Sequence, residues 1–194
     1  MPVGDVESAV AASATADGVA LIRMARVAWL NTHGHFALPP QAASVAGVLQ
    51  RVFEELGGDE REQRSKQLRT LPNDLFHTDS KTMVEVDEVQ HFTSFRALTI
   101  RKRPSSPGDQ SDEYLGLCEE WSSLADRYRV TKEAKGFPGP HGRARQRAYN
   151  DLLRDLVAPV MGYRIVRVPA PMLSGPEAYA RAAHRLQALR SPDY

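Results

Sequence analysis

The sequence predicts a mixed α/β (α+β) fold in which a small mixed β-sheet is flanked by helices. Several segments place apolar residues at helical spacing, while residues 74–100 and 163–168 contain the apolar–polar alternation of strands. The composition is that of an ordinary globular protein, with 194 residues of which 42% are hydrophobic and 25% charged. The single cysteine, Cys118, excludes a disulfide framework and a multi-cysteine zinc site.

We expect the chain to divide into an N-terminal tail with an accessory helix, residues 1–40, and a domain over residues 41–194. Residues 1–16 are Ala, Ser, Val and small polar residues without strong periodicity, and they predict a loose tail, with a docked helix as the alternative. Residues 18–31 place Leu21, Met24 and Ala28 at helical spacing and predict a helix. Residues 41–56 carry a clear apolar stripe and predict a second helix, and the charged residues 59–70 predict a loop or helix end.

The middle of the chain contains the predicted strands. Residues 79–81 predict a turn between two strands, and residues 83–87 form the strongest strand pattern. Residues 92–100 fit either a helix or a third strand. Residues 103–112 predict a loop, 113–130 a helix, 143–158 a basic amphipathic helix, 163–168 a strand and 176–190 a final helix.

The charge balance limits how the protein binds nucleic acid. Twenty-five Lys and Arg residues face 24 Asp and Glu residues, so bulk charge does not attract a polyanion. Locally, residues 140–167 contain six arginines and only two aspartates. A guanidinium group can donate two parallel hydrogen bonds to phosphate oxygens. Four arginines are therefore candidate nucleic-acid contacts: Arg143, Arg145, Arg147 and Arg154. The alternative is a solvated basic face partly neutralised by the two aspartates.

Acidic residues on the strongest strand indicate a metal site. Glu85 and Asp87 are two residues apart and project to the same face, opposite Val84 and Val86. Asp74 precedes the hairpin and is within reach of the same edge. Three such oxygen ligands suit Mg²⁺ or Mn²⁺. The alternative is a strand whose polar side chains face solvent.

The order of these segments resembles that of the restriction-endonuclease-like PD-(D/E)XK nuclease superfamily, and is closest to small bacterial relatives of very-short-patch-repair endonucleases. Over roughly residues 42–170, the resemblance rests on Asp74-x10-Glu85-Val86-Asp87-x-x-Gln90-His91, Arg154-Asp155-Leu156 and Gly162-Tyr163-Arg164-Ile165-Val166-Arg167-Val168. Asp87 stands where the superfamily usually has lysine, and Glu88 where the closer relatives have glycine.

The resemblance implies an α-β-β-β-α-β core and an Mg²⁺- or Mn²⁺-dependent endonuclease that hydrolyses DNA in bacterial defence, restriction or repair. Its implied site residues comprise metal ligands at Asp74 and Glu85, with Asp87 as a further ligand, polar or acid–base groups at Gln90 and His91, and a first-helix glutamate at Glu54 or Glu55. Three alternatives stay open at this point: an inactive nuclease-fold module that binds nucleic acid or a protein, a purely structural protein, and RNA as the ligand.

The expected location is the cytoplasm. No apolar run reaches the roughly 18–20 residues of a membrane helix, and the N-terminus lacks the order of a secretory signal. We therefore expect no membrane association. The expected partner is DNA, and a homodimer or a protein partner is a further expectation.

Overall fold

The computed structural model describes residues 4–104 and 110–190. Within them the helices are α1 Asp5–Ala16, α2 Ala43–Glu55, α3 Glu60–Arg64, α4 Ser94–Lys102, α5 Ser111–Ala125, α6 Gly142–Val160 and α7 Gly175–Gln187. The strands are β1 Ile22–Arg23, β2 Arg26–Asn31, β3 Thr70–Pro72, β4 Leu75–His77, β5 Thr82–Glu88 and β6 Arg164–Ala170. The chain forms two compact units, one of residues 1–26, 72–88 and 162–194 and one of residues 27–71 and 89–161.

The first unit contains a four-stranded sheet in the order β1-β4-β5-β6. Strand β4 pairs antiparallel with both β1 and β5, whereas β6 runs parallel to β5. Strands β4 and β5 come after helix α2 in the chain, and β6 comes after the basic helix α6. The predicted fold class, a small mixed sheet with flanking helices, is therefore confirmed.

One face of this sheet is covered by α1 and α7. Val84 and Val86 of β5 pack in a core with Val168 of β6, together with buried residues of both helices. Val10 of α1 and Leu186 of α7 are completely buried there. Because side chains alternate along a strand, this core fixes the opposite face as the one that carries Glu85 and Asp87. The predicted division of β5 into an apolar face and an acidic face is confirmed.

The second unit contains α2 to α6 and a two-stranded sheet of β2 and β3. Phe92 packs with α4 and α5 in one buried cluster. A second cluster consists of aromatic rings in edge-to-face contact, with Phe53 of α2 at its centre against Phe137 and Tyr149.

The N-terminal predictions have different outcomes. Residues 5–16 form helix α1, the docked alternative to a loose tail, because Val6, Val10 and Ala14 recur every four residues and bury one face. Residues 18–31 form β1 and β2 instead of a helix. Met24 between these strands has a backbone φ of 56°, which no helix accommodates.

The remaining elements agree more closely with the predictions from the sequence. Residues 92–100, which fit either element, belong to α4, and the turn at residues 79–81 joins β4 to β5. The charged stretch 59–70 holds the short helix α3 and the start of β3. The loop predicted over 103–112 lies partly outside the described residues, since 105–109 are not among them.

Candidate metal centre

Strand β5 positions two carboxylates that are removed from solvent. Glu85 is 4% exposed and Asp87 is 1% exposed, so the alternative of a strand with a solvated polar face does not hold. Parallel pairing sets Glu85 opposite Arg167 of β6. A guanidinium nitrogen of Arg167 lies 2.8 Å from Oδ2 of Asp87. This buried pair compensates one of the two negative charges.

Asp74 lies beside the middle of β5, as the hairpin prediction required. Its Oδ2 accepts a hydrogen bond of 2.9 Å from the main-chain N–H of Val86. Its own carbonyl accepts from the N–H of Met24, which anchors the residue just before β4. The carboxyl group therefore contacts the strand between Glu85 and Asp87, on the segment where the sequence predicts a metal site.

A glutamate on helix α1 adds to this acidic region and was missed from the sequence. Burial raises the pKa of Glu7, and the negative charges of Asp74 and Glu88 raise it further, whereas the hydrogen bond from Arg23 lowers it. The Arg23–Glu7 nitrogen-to-oxygen distance is 3.0 Å. Glu7 is one of two acids in the first turn of an alanine-rich helix, and this position carries no local signal of such a role.

Glu54 and Glu55, suggested for the first helix of the core, lie on α2, the helix predicted over residues 41–56. Glu55 forms an ion pair with Lys102 at 2.9 Å, and Glu54 accepts a hydrogen bond from the side chain of Gln50. Both contacts are local to the second unit. Glu7 on α1 is the first-helix glutamate whose charge is coupled to Asp74.

A group of potential metal ligands includes Asp87 of β5. One ligand atom each from Asp87, His91 and Asp151 lies within 4.8 Å of the others. His91 ends the 3-10 turn Val89–His91, and its Nδ1 lies 3.1 Å from Oδ2 of Asp151. Two carboxylates and an imidazole can bind a divalent ion such as Mn²⁺, and the imidazole widens the choice beyond Mg²⁺. The structure therefore contains a group that could hold a metal ion.

This group overlaps with the predicted site and changes its membership. It contains Asp87, predicted as a ligand, and His91, predicted as a polar or acid–base residue. It adds Asp151, which was noted in the sequence only as a partner that neutralises the basic helix. Asp74 and Glu85 stand outside the group of three, and their metal-binding role stays a prediction.

Gln90 lies within the same turn, and its main chain is held by the basic helix. The guanidinium of Arg147 donates a hydrogen bond of 3.0 Å to the carbonyl oxygen of Gln90. Arg154 lies 3.8 Å from Oδ1 of Asp151, and 11% of its side chain is exposed. Both arginines thus hold the turn and the helix that carry His91 and Asp151.

The other two candidate arginines differ in environment. Arg145 donates to main-chain carbonyls of Leu56, Gly57, Pro138 and Pro140, so its guanidinium fastens two loops to α6. Arg143 is exposed and donates to the side-chain oxygen of Gln146. Of these two arginines, Arg143 is the more accessible to a ligand from solvent.

Within residues 4–104 and 110–190, every helix is too short or too polar to cross a bilayer. No curated protein and no solved structure matches the sequence. One family model does match, over residues 51–171, which is more than half of the chain and includes β5, the turn with His91 and all of α6. The chain therefore belongs to the family described as "Family of unknown function (DUF7255)".

Proposed function

We propose that this chain is a divalent-metal-dependent nuclease that hydrolyses phosphodiester bonds of DNA. One observation carries the proposal: ligand atoms of Asp87, His91 and Asp151 lie within 4.8 Å of one another, and Asp87 is on the strand that also carries buried Glu85. The hairpin of β4 and β5 and the strand β6, which follows the basic helix α6 along the chain, support it, because the resemblance to restriction-endonuclease-like nucleases implies strands and a helix in this order.

In this proposal Asp87, His91 and Asp151 hold the ion, and Glu85 and Asp74 are the neighbouring carboxylates. A bound Mg²⁺ or Mn²⁺ supplies Lewis acidity toward the phosphoryl oxygen and favours ionisation of the attacking water. A carboxylate accepts hydrogen bonds only, so Nδ1 of His91 donates to Asp151 and its Nε2 is left as the basic nitrogen. The Asp151 carboxylate therefore fixes both the orientation and the tautomer of the imidazole.

DNA is proposed as the substrate because of the basic helix. Arg143 at the start of α6 is exposed, and Arg147 fastens the turn that contains Gln90 and His91. A guanidinium is suited to phosphate oxygens. Defence, restriction or repair in a bacterium is the biological setting that the resemblance suggests.

A second candidate function is a nuclease-fold module that binds nucleic acid without cutting it. Two features favour this candidate. Asp87 stands where the superfamily usually has lysine, and its carboxylate forms an ion pair with Arg167. A cation already 2.8 Å from the carboxylate competes with a metal ion for the same negative charge.

A cleavage assay distinguishes the two functions. Purified protein is incubated with single-stranded and double-stranded DNA in Mg²⁺, in Mn²⁺ and in EDTA. The variants are Glu85→Gln and Asp151→Asn, which keep size and remove charge. The matched control is Glu60→Gln, because Glu60 is an exposed glutamate paired only locally with Arg64.

We expect cleavage by the wild type and the control with metal, none in EDTA, and a loss of at least about 100-fold in both site variants. Cleavage by all four proteins at one rate would indicate a contaminating nuclease and overturn the proposal. DNA binding without cleavage under every condition would instead establish the second candidate.

A further inference from the structure

Three cations lie close to one turn of the second unit, and two of them, Lys66 and Lys135, have no role assigned so far. Lys66 follows α3, Lys135 lies in the turn before α6, and Arg143 lies in the first turn of α6. We call Lys66, Lys135 and Arg143 the basic cluster. Lys135 and Arg143 are exposed and Lys66 is partly buried, so a ligand from solvent can reach the cluster.

Hydrogen bonds bring the three residues to the same place. Lys135 donates through Nζ to the carbonyl of Ser65 at 3.0 Å, which ties it to the residue before Lys66. Gln146 links the other two, because its amide donates to the carbonyl of Lys135 at 3.5 Å and its oxygen accepts from Arg143. These hydrogen bonds keep the three residues of the basic cluster close to one another.

Gly136 leaves room for the cluster's least exposed member. A Cβ at this position would lie 3.1 Å from Nζ of Lys66 and 2.1 Å from the side-chain oxygen of Gln63, which accepts the hydrogen bond from that amine. The backbone φ of Gly136 is +88°, a conformation that other residues rarely adopt. The turn therefore places its bare backbone against the ammonium group of Lys66.

The positive charges of the cluster are not neutralised by carboxylates. Within the described part of the chain, none of its three members forms an ion pair with an acidic residue. Burial lowers the pKa of Lys66 to about 8, and the charges of Lys135 and Arg143 lower it further, with Glu62 opposing them. Three neighbouring positive charges create a local positive potential, which favours the binding of an anion.

We propose that the basic cluster binds a phosphate group. Two ammonium groups and a guanidinium supply several donors to one centre, which suits the multiple oxygens of phosphate. Under the proposed function, on which the identity of the ligand rests, this group belongs to the DNA backbone. A free phosphate or nucleotide has the same chemistry.

The first test uses inorganic phosphate as the probe. Lysines are acetylated briefly at pH 8 with and without phosphate, and the modified sites are quantified by mass spectrometry. The lowered pKa of Lys66 favours reaction of its amine at this pH. We expect phosphate to slow modification of Lys66 and Lys135 several-fold while leaving the exposed Lys81 unchanged. Equal modification of all three residues with and without phosphate would count against the site.

The second test measures DNA affinity in EDTA, so that its outcome does not depend on cleavage. The variants are Lys66→Gln and Lys135→Gln, and the control is Arg51→Gln, which removes one exposed cation from α2. We expect each cluster variant to bind DNA about 10-fold more weakly, with the slope of log affinity against log salt reduced by about 1. The control should bind like the wild type.

The two tests together identify the source of the phosphate. Protection by phosphate with weaker DNA binding supports a contact to the DNA backbone. Protection with unchanged DNA binding supports a free phosphate or nucleotide as the ligand. Neither protection nor a difference from Arg51→Gln would overturn the proposal, whether or not the protein cleaves DNA.

Discussion

His35 and Tyr149 form a hydrogen-bonded chain whose proton positions follow from chemistry. The hydroxyl of Tyr149 accepts from the main-chain N–H of His35 at 2.9 Å and donates to Nδ1 of its ring at 2.5 Å. The other ring nitrogen donates to the side-chain oxygen of Gln50 at 2.5 Å. Burial raises the pKa of the Tyr149 hydroxyl, so the phenol stays protonated. These contacts hold His35 as one neutral tautomer.

We expect this arrangement to make stability depend on pH. Burial lowers the pKa of His35 below its ordinary value of 6.5, so the unfolded chain takes up the proton more readily. The stabilisation is therefore complete above pH 6.5 and is lost as the pH falls through the lower pKa of the folded state. Urea denaturation between pH 8 and pH 5 should show a smaller loss for His35→Gln than for the wild type. If the stability of both proteins falls by the same amount between pH 8 and pH 5, His35 is not the cause of the pH dependence.

Single residues also show where the sequence was informative about the site. Asp87 and His91 lie in one short segment, so their clustering could be predicted from strand alternation and proximity. Asp151 is on a helix sixty residues further along, and nothing near it indicates that it lies 3.1 Å from His91. Glu7 was missed for the same reason, because its coupling to Asp74 depends on how α1 packs.

A buried ion pair joins two helices of the second unit. Arg96 of α4 lies 2.8 Å from Oδ2 of Asp155 on α6, and their side chains are 2% and 5% exposed. Removal of one partner would leave the other charge buried without compensation. The pair therefore fixes α4 against α6.

We expect Asp155→Asn to lower the free energy of unfolding by about 3 kcal/mol, because the guanidinium of Arg96 would lose its charged partner. Glu60→Gln breaks an exposed pair, with both side chains 54% exposed, and should change stability by about 0.5 kcal/mol or less. Chemical denaturation of both variants measures the difference. Equal effects would mean that burial does not strengthen the Arg96–Asp155 contact.

Among the elements, the long amphipathic helices were predictable and the short N-terminal ones were not. Helices α2 and α6 have apolar stripes that continue for several turns, and their packing agrees with this local pattern. Strands β1 and β2 together carry few residues, and the apolar ones among them also match a helical spacing. Pairing of β1 with β4 in the sheet decides the outcome there, and that contact is not visible locally.

The molecule as a whole is nearly neutral, with a net charge of +1, but its charges are segregated. Carboxylates gather around β5, where Glu85 and Asp87 are buried, whereas the basic cluster lacks acidic partners within the described residues. A polyanion is consequently attracted by a local group of cations and not by the total charge. Binding of DNA should be sensitive to salt for this reason.

Metal binding should stabilise the whole folded chain. An ion that binds only the native state at 100 times its Kd adds about 2.7 kcal/mol to the free energy of unfolding. We expect Mn²⁺ to raise the Tm of the wild type, EDTA to reverse the increase, and Asp151→Asn to abolish it. The Glu60→Gln variant should respond like the wild type. An equal rise in Asp151→Asn would place the binding of Mn²⁺ elsewhere.

The parallel pairing of β5 with β6 has a consequence for biosynthesis. Asp87 meets its partner Arg167 only after a further 80 residues have been added to the chain. During translation β5 therefore lacks its parallel neighbour until β6 has also been synthesised. A truncated product without β6 would carry Asp87 without the guanidinium that pairs with it.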